Sequence, residues 1–94
     1  MTDRLPETIF VIAGNMDQFR TFRKQLTETI ASEGLFKLSH TDIIYVGGLD
    51  ALRGHRSPWG YTVGTWRARP DIGTISTFLQ ERGSSIDEFI EVSL

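Results

Sequence analysis

The sequence predicts an α/β domain built on a small parallel sheet. Three apolar runs, at 8–13, 42–46 and 61–66, have the length and β-branched content of strands that are buried on both faces. A stretch with helical spacing lies between the first two runs, and another follows the third run. Consecutive buried strands joined by crossovers favour right-handed βαβ connections. The chain has 94 residues, so we expect one domain, 1–94.

The first run, from Thr8 to Ala13, is the most apolar of the three, and we expect it at the centre of the sheet. The apolar residues that follow are spaced three or four apart and lie within about 120° on a helical wheel. Asn15 is the expected N-cap, Gln18 completes a capping box, and Gly34 would end the helix. The buried face of this helix is predicted to contain Met16, Phe19, Phe22, Leu26 and Ile30.

The second run ends at Gly47-Gly48, and a single helical turn over 49–53 precedes a loop that is rich in glycine and proline. In the third run, Gly64 indicates either a close approach by backbone or ligand, or a bulge. Asp71 is the expected N-cap of a second helix, which Gly83 would end. The apolar stripe of that helix is Ile72, Ile75, Phe78 and Leu79.

The tail, 84–94, is ambiguous. Its segment 85–88 matches a capping box, which favours a short helix, whereas Ile90, Val92 and Leu94 alternate as in a strand. We expect the short helix. The sheet then has three strands in the order 2-1-3 with flanking helices, a miniature Rossmann-like or flavodoxin-like architecture.

Composition excludes several classes of protein. The chain has no cysteine, so it has no disulfide, no thiolate nucleophile and no cysteine-based zinc site. Its two histidines cannot hold a metal without carboxylates, and we predict neither a metal nor a cofactor. No apolar run approaches the roughly 20 residues of a membrane span, and no signal-peptide core is present. We expect a cytoplasmic protein that does not associate with membranes.

The sequence contains no nucleophile elbow, no zinc-protease motif and no carboxylate pair at suggestive spacing. His55 lies near Ser57, but a surface histidine in a loop is the simpler interpretation. We therefore predict no catalytic residue and favour a protein without enzymatic activity.

Charge indicates where a ligand could bind. The stretch 51–70 carries four arginines and no acid, in a chain whose net charge is -2. Solvated loops explain such arginines equally well. Ligands of open parallel sheets bind beyond the carboxyl ends of the strands, where helix N-termini and guanidinium groups suit a phosphate. The residues predicted at this edge are Gly14, Asn15, Gln18, Arg53, Gly54, His55, Arg56, Trp66, Arg67 and Arg69.

This site lacks a specific motif. The segment 13–15 matches neither a P-loop nor a dinucleotide fingerprint, so Gly14 and Asn15 are also explained as the turn and cap of the first helix. Nucleic acid is a less favoured ligand, because the sequence pI is about 5.6 and dedicated binders are usually basic.

Three segments carry a resemblance to known proteins: Ala13-Gly14-Asn15 with Phe19, Tyr45-Val46 with Leu52-Arg53-Gly54, and Val63-Gly64-Thr65-Trp66 with Arg69-Pro70-Asp71 and Ile75. Together they resemble a loose group of small uncharacterised proteins of bacteriophages, notably of actinobacteria, and of some bacterial genomes. The similarity spans roughly 8–82. It implies a Rossmann-like fold and a phage or prophage setting, hence the host cytoplasm, and it implies no established activity.

Two hypotheses for function follow. The first is a small non-enzymatic binding domain that takes a nucleotide or another phosphorylated molecule at the carboxyl edge of its sheet. The second is a phage-encoded protein-interaction factor that modulates a host enzyme or defence system through its acidic tail or an exposed helix. The oligomeric state is not predicted.

Overall fold

The computed structural model describes residues 8–33, 42–55 and 58–94. It is an α/β structure in which four parallel strands have the order β2-β1-β3-β4. The strands are β1 (Thr8–Ala13), β2 (Asp42–Tyr45), β3 (Gly60–Val63) and β4 (Ile90–Val92). The helices are α1 (Met16–Glu33) and α2 (Ile72–Glu81), and single 3-10 turns occupy Leu49–Leu52, Trp66–Ala68 and Ile86–Glu88.

The central position predicted for β1 is confirmed. Thr8 pairs with Asp42 of β2, and Phe10 pairs with Gly60 of β3. Because both neighbours are parallel to β1 and both its faces are covered, all its residues from Ile9 to Ala13 are buried. Glycine is required at Gly60, where a Cβ would collide with the backbone of Phe10.

The helices lie on opposite faces of the sheet. Phe19 and Phe22 of α1 pack against one face, on the β1 side chains Ile9 and Val11. Ile75 and Leu79 of α2 pack against the other face, together with Phe10, Ile12 and Leu52. This placement follows from topology, since the chain leaves β1 in one direction to form β2 and then crosses back over it to form β3 and β4.

Two predictions about strands are corrected. The sheet has four strands, because the tail forms one 3-10 turn and then β4, which pairs with β3 through the register Val63↔Val92. The expected short helix is limited to that turn, in which the Ser85 hydroxyl accepts a hydrogen bond from the Asp87 backbone N–H. The third strand spans 60–63, because Gly64 takes a positive φ of 62° and turns the chain.

The helix ends agree in part with the sequence. Asn15 caps α1, since its Oδ1 accepts a hydrogen bond from the Gln18 backbone N–H at 2.9 Å. Asp71 lies at the N-cap position of α2 but makes no side-chain capping bond. Gly83 ends α2 as predicted, with φ 78° and with Ser84 N–H donating to the Leu79 carbonyl. Gly34, the predicted stop of α1, lies outside the described residues. None of the described helices is long and apolar enough to cross a membrane.

Candidate functional site

The crevice between the carboxyl ends of β1 and β3 is filled by the side chain of Gln18. Its Oε1 accepts hydrogen bonds from the backbone N–H of Gly14, at 2.9 Å, and of Thr65, at 3.1 Å. Its Nε2 donates to the Thr65 hydroxyl at 3.0 Å. Gln18 therefore joins the two strand ends at the place where open parallel sheets usually receive a ligand.

Two glycines make room for this amide. A Cβ at Gly14 would collide with the Thr65 hydroxyl, and a Cβ at Gly64 would lie 2.5 Å from the Gln18 Oε1. The group that approaches Gly64 is a side chain of the protein itself, so neither the expected approach by backbone or ligand nor the expected bulge describes this position. The capping box predicted from Asn15 and Gln18 is present in only one direction, because the Gln18 amide reaches Gly14 and Thr65 rather than the Asn15 backbone.

Arg69 occupies the neighbouring position, between the ends of β1 and β2. Its Nη1 donates to the carbonyls of Ala13, at 3.0 Å, and Val46, at 2.6 Å. Its Nε and Nη2 donate to the two carboxylate oxygens of Asp71, at 3.0 and 2.8 Å. This guanidinium is hydrogen-bonded within the protein, and because the Arg69 side chain is only 8% exposed, it has little surface for a ligand to contact.

The pair also explains why Asp71 does not cap α2. Both oxygens of its carboxylate accept hydrogen bonds from Arg69, and this hydrogen bonding lowers the pKa of Asp71 below its ordinary value. The negative charge of Asp71 also offsets the positive charge of Arg69 at the carboxyl edge of the sheet. The net attraction of the edge for a phosphate is therefore weaker than the arginines alone would suggest.

Arg67 is turned toward β4. It forms a bidentate ion pair with Glu91, at 2.5 and 2.9 Å, which lowers the pKa of Glu91 and raises that of Arg67. Its guanidinium also lies over the Trp66 ring, 4.5 Å from the centroid. Trp66 is 7% exposed and belongs to the core beneath α2, so it is not an open stacking platform. Its indole N–H is buried without a hydrogen-bond partner in the described part of the chain.

The segment after β2 leads away from the carboxyl edge. Arg53 forms an exposed 3.3 Å contact with Asp50, and Gly54 turns the chain with φ 83°. His55 then packs edge-on against Phe10, with ring centroids 4.9 Å apart. Phe10 pairs with Gly60 at the start of β3, so the His55 ring lies against that part of the sheet. The placement of Arg53 and Gly54 at the common rim stays a prediction. Arg56 lies outside the described residues.

The structure thus brings together Gly14, Asn15 and Gln18, with Arg69 beside them on the Ala13 carbonyl. Of the other predicted residues, Arg67 is paired with Glu91 and Trp66 is packed in the core. Thr65 and Glu91 were not predicted from the sequence as partners of that set. Arg69 and Asp71 are two residues apart, and this spacing was the one signal that could have indicated an internal pair. Partners across the sheet, such as Gln18 and Thr65, left no signal in the sequence.

The described side chains contain no group of three or more histidine and carboxylate residues that could hold a metal ion. Comparison of the chain with protein-family models, with curated proteins and with solved structures finds no match.

Proposed function

We propose that this chain is a non-enzymatic protein-interaction domain, and that it works through the exposed face of α1 rather than through a ligand at the carboxyl edge. One observation carries the proposal: the Gln18 amide and the Arg69 guanidinium already satisfy the strand ends where a nucleotide would bind. A phosphorylated ligand would have to displace internal hydrogen bonds before it made its own, at a cost in affinity.

The tail, 84–94, is part of the fold, which leaves α1 as the surface for a partner. Of the two surfaces considered for an interaction factor, the acidic tail is built into the sheet as β4 and its preceding turn. The outward side of α1 is exposed over residues 17–29. The order β2-β1-β3-β4, with one helix on each face, supports the further proposal that the domain is a miniature of the Rossmann-like architecture.

Three cations share one side of α1, because Arg23 and Lys24 follow Arg20 by three and four residues, and we call them the cationic face. Arg20 is 66% exposed, and its contact with Asp17 is a long one of 3.8 Å. Arg23 lies over the Phe19 ring at 5.4 Å. On an acidic chain, such a cluster favours a partner protein with an acidic surface, through complementary charge and faster association. The hypothesis that the chain is phage-encoded makes a host protein that partner.

The first test asks whether the edge binds a ligand. We expect ATP, NAD and short single-stranded DNA to produce no heat in calorimetric titration and no change in melting temperature. A saturable response that Arg67→Ala and Arg53→Ala both weaken would instead support the nucleotide hypothesis and overturn this one.

The second test compares two charge-reversal variants with equal changes in net charge. Arg20→Glu/Lys24→Glu alters the cationic face, and Arg53→Glu/Arg82→Glu alters exposed arginines elsewhere. Immobilised protein is used to capture partners from host lysate, with each captured protein then purified and titrated directly. We expect the first variant to bind the purified partner at least tenfold more weakly and the second to bind like wild type. Equal binding by both variants would contradict the assignment of α1.

A further inference from the structure

The outer edge of β4 carries unpaired backbone groups. The Gly64 N–H donates to the Val92 carbonyl at 3.0 Å, and Tyr61 is in register with Ile90. In a parallel pair, alternate residues direct both their N–H and their C=O to the neighbouring strand. Ile90 and Val92 therefore face β3, and Glu91 directs its N–H and C=O away from it. In the residues that the structure describes, no strand pairs with this edge.

β4 is short and carries one charge, Glu91, but it also presents exposed apolar surface at this edge. Ile90 is 48% exposed and Leu94 is 52% exposed, while Val92 packs on the cluster beneath α1. Edge strands are normally protected by lysine, proline or a bulge, or by a covering element. The segment from Ile90 to Leu94 contains no lysine or proline, and α1 packs on β1, β2 and β3.

The one charge on β4 is already balanced. Glu91 lies on the face opposite Ile90 and Val92, where Arg67 holds both its carboxylate oxygens. A pairing that brings two copies of Glu91 together therefore brings together two ion pairs rather than two bare carboxylates. Each Arg67 can then attract the Glu91 of either copy, so the charges alternate across the junction.

We propose that two copies of this chain associate through β4, pairing antiparallel about a two-fold axis that passes beside Glu91. The backbone N–H and C=O of Glu91 then bond to the C=O and N–H of Glu91 in the second copy. The two residues form a hydrogen-bonded pair of an antiparallel ladder. The same register places Ile90 opposite Val92 of the second copy, so apolar side chains meet on the face beneath α1. A two-fold contact of this kind is self-complementary and closes without forming fibres.

The first test is sedimentation equilibrium over a range of protein concentrations. The wild-type chain is expected to approach twice its mass of 10.6 kDa as concentration rises. Ile90→Lys should weaken dimerisation at least tenfold, because it places a charge opposite Val92 of the second copy. Met16→Lys is the matched control, since Met16 is another exposed large apolar residue, at 41%, and lies on α1. Its dimerisation should equal that of wild type.

A charge-swap experiment then tests the register. Arg67→Glu alone and Glu91→Arg alone should both be monomeric, because each places like charges across the junction. An equimolar mixture of these two variants should restore the dimer, and added salt should weaken it. If Ile90→Lys fails to fold, the mixture still tests the proposed dimer, because neither of its two variants changes Ile90. A wild-type chain that stays monomeric up to about 1 mM, a dimer that Ile90→Lys leaves intact, or a mixture that remains monomeric would each overturn the proposal.

Discussion

Gln18 and Thr65 are hydrogen-bonded to each other across the ends of β1 and β3. The Gln18 Oε1 accepts from the Thr65 backbone N–H at 3.1 Å, and the Gln18 Nε2 donates to the Thr65 hydroxyl at 3.0 Å. The same Oε1 accepts from Gly14, so a single amide joins the ends of β1 and β3. The crevice between these strands is therefore part of the protein's own hydrogen-bonded structure.

Gln18→Ala should lower the free energy of unfolding by about 1–2 kcal/mol, because the N–H groups of Gly14 and Thr65 lose their acceptor and part of the site is buried. Gln18→Glu keeps an acceptor and should be less destabilising. Urea titration measures both variants, with Gln25→Ala, an exposed position on the same helix, as the control. A Gln18→Ala variant as stable as Gln25→Ala would show that water replaces the amide without loss.

Arg69→Met should be more damaging than the same change at an exposed arginine. It removes the donors for the Ala13 and Val46 carbonyls and leaves Asp71 without its partner, with an expected loss of about 1.5–3 kcal/mol. Arg53→Met breaks only an exposed contact with Asp50 and should cost about 0–1 kcal/mol. Parallel denaturant titrations compare the two, and equal losses would contradict the structural role of Arg69.

The Arg69–Asp71 pair should also contribute to acid sensitivity. The pKa of Asp71 is lower in the folded state than in the unfolded chain, so its contribution to stability is present above the ordinary value of about 3.9. That contribution is lost as the pH falls through the folded-state pKa. Asp71→Asn should therefore be less stable at neutral pH and lose less stability on acidification. In an Arg69→Met background, the same Asp71→Asn change should leave the pH dependence unaltered.

Phe22→Ala tests the packing of α1 on the sheet. Phe22 is 5% exposed, and the centroid of its ring lies 4.9 Å from the centroid of the Tyr61 ring. The substitution should cost about 3–5 kcal/mol, a large fraction of the stability of a small domain. Met16→Ala, at an exposed position in the first turn of α1, provides the comparison. A loss below about 1 kcal/mol for Phe22→Ala in a denaturant titration would mean that this face of α1 does not support the sheet.

Local signals were enough to predict the centre of the fold. An unbroken apolar run specified β1, and the spacing of Phe19 and Phe22 specified the buried face of α1, because these patterns reflect burial that each segment experiences along its own length. Asn15 was predictable as a cap for the same reason, since its partner is only three residues away. The structure of the tail was not predictable in this way, because its capping-box pattern favours a helix and its alternating apolar residues favour a strand. Pairing with β3 determines that the strand forms.

The candidate site was less predictable because its decisive contacts are distant in sequence. Thr65 lies 47 residues from Gln18, and Glu91 lies 24 residues from Arg67. The arginine-rich stretch indicated an anion site because it contains no acid of its own. The acids that pair with Arg67 and Arg69 come just after that stretch or from β4, where only the folded chain brings them close.

The order of the strands has a consequence for how the chain is made. β1 precedes the strands that flank it, which begin only at Asp42 and Gly60, so a growing chain presents Thr8–Ala13 before either partner exists. This segment contains no charge, proline or glycine, and six-residue segments of that kind self-associate as β-structure. Pairing between strands so distant in sequence is also slow. Synthesis at high concentration is therefore expected to depend on chaperones that shield β1 until the chain through Val63 has emerged.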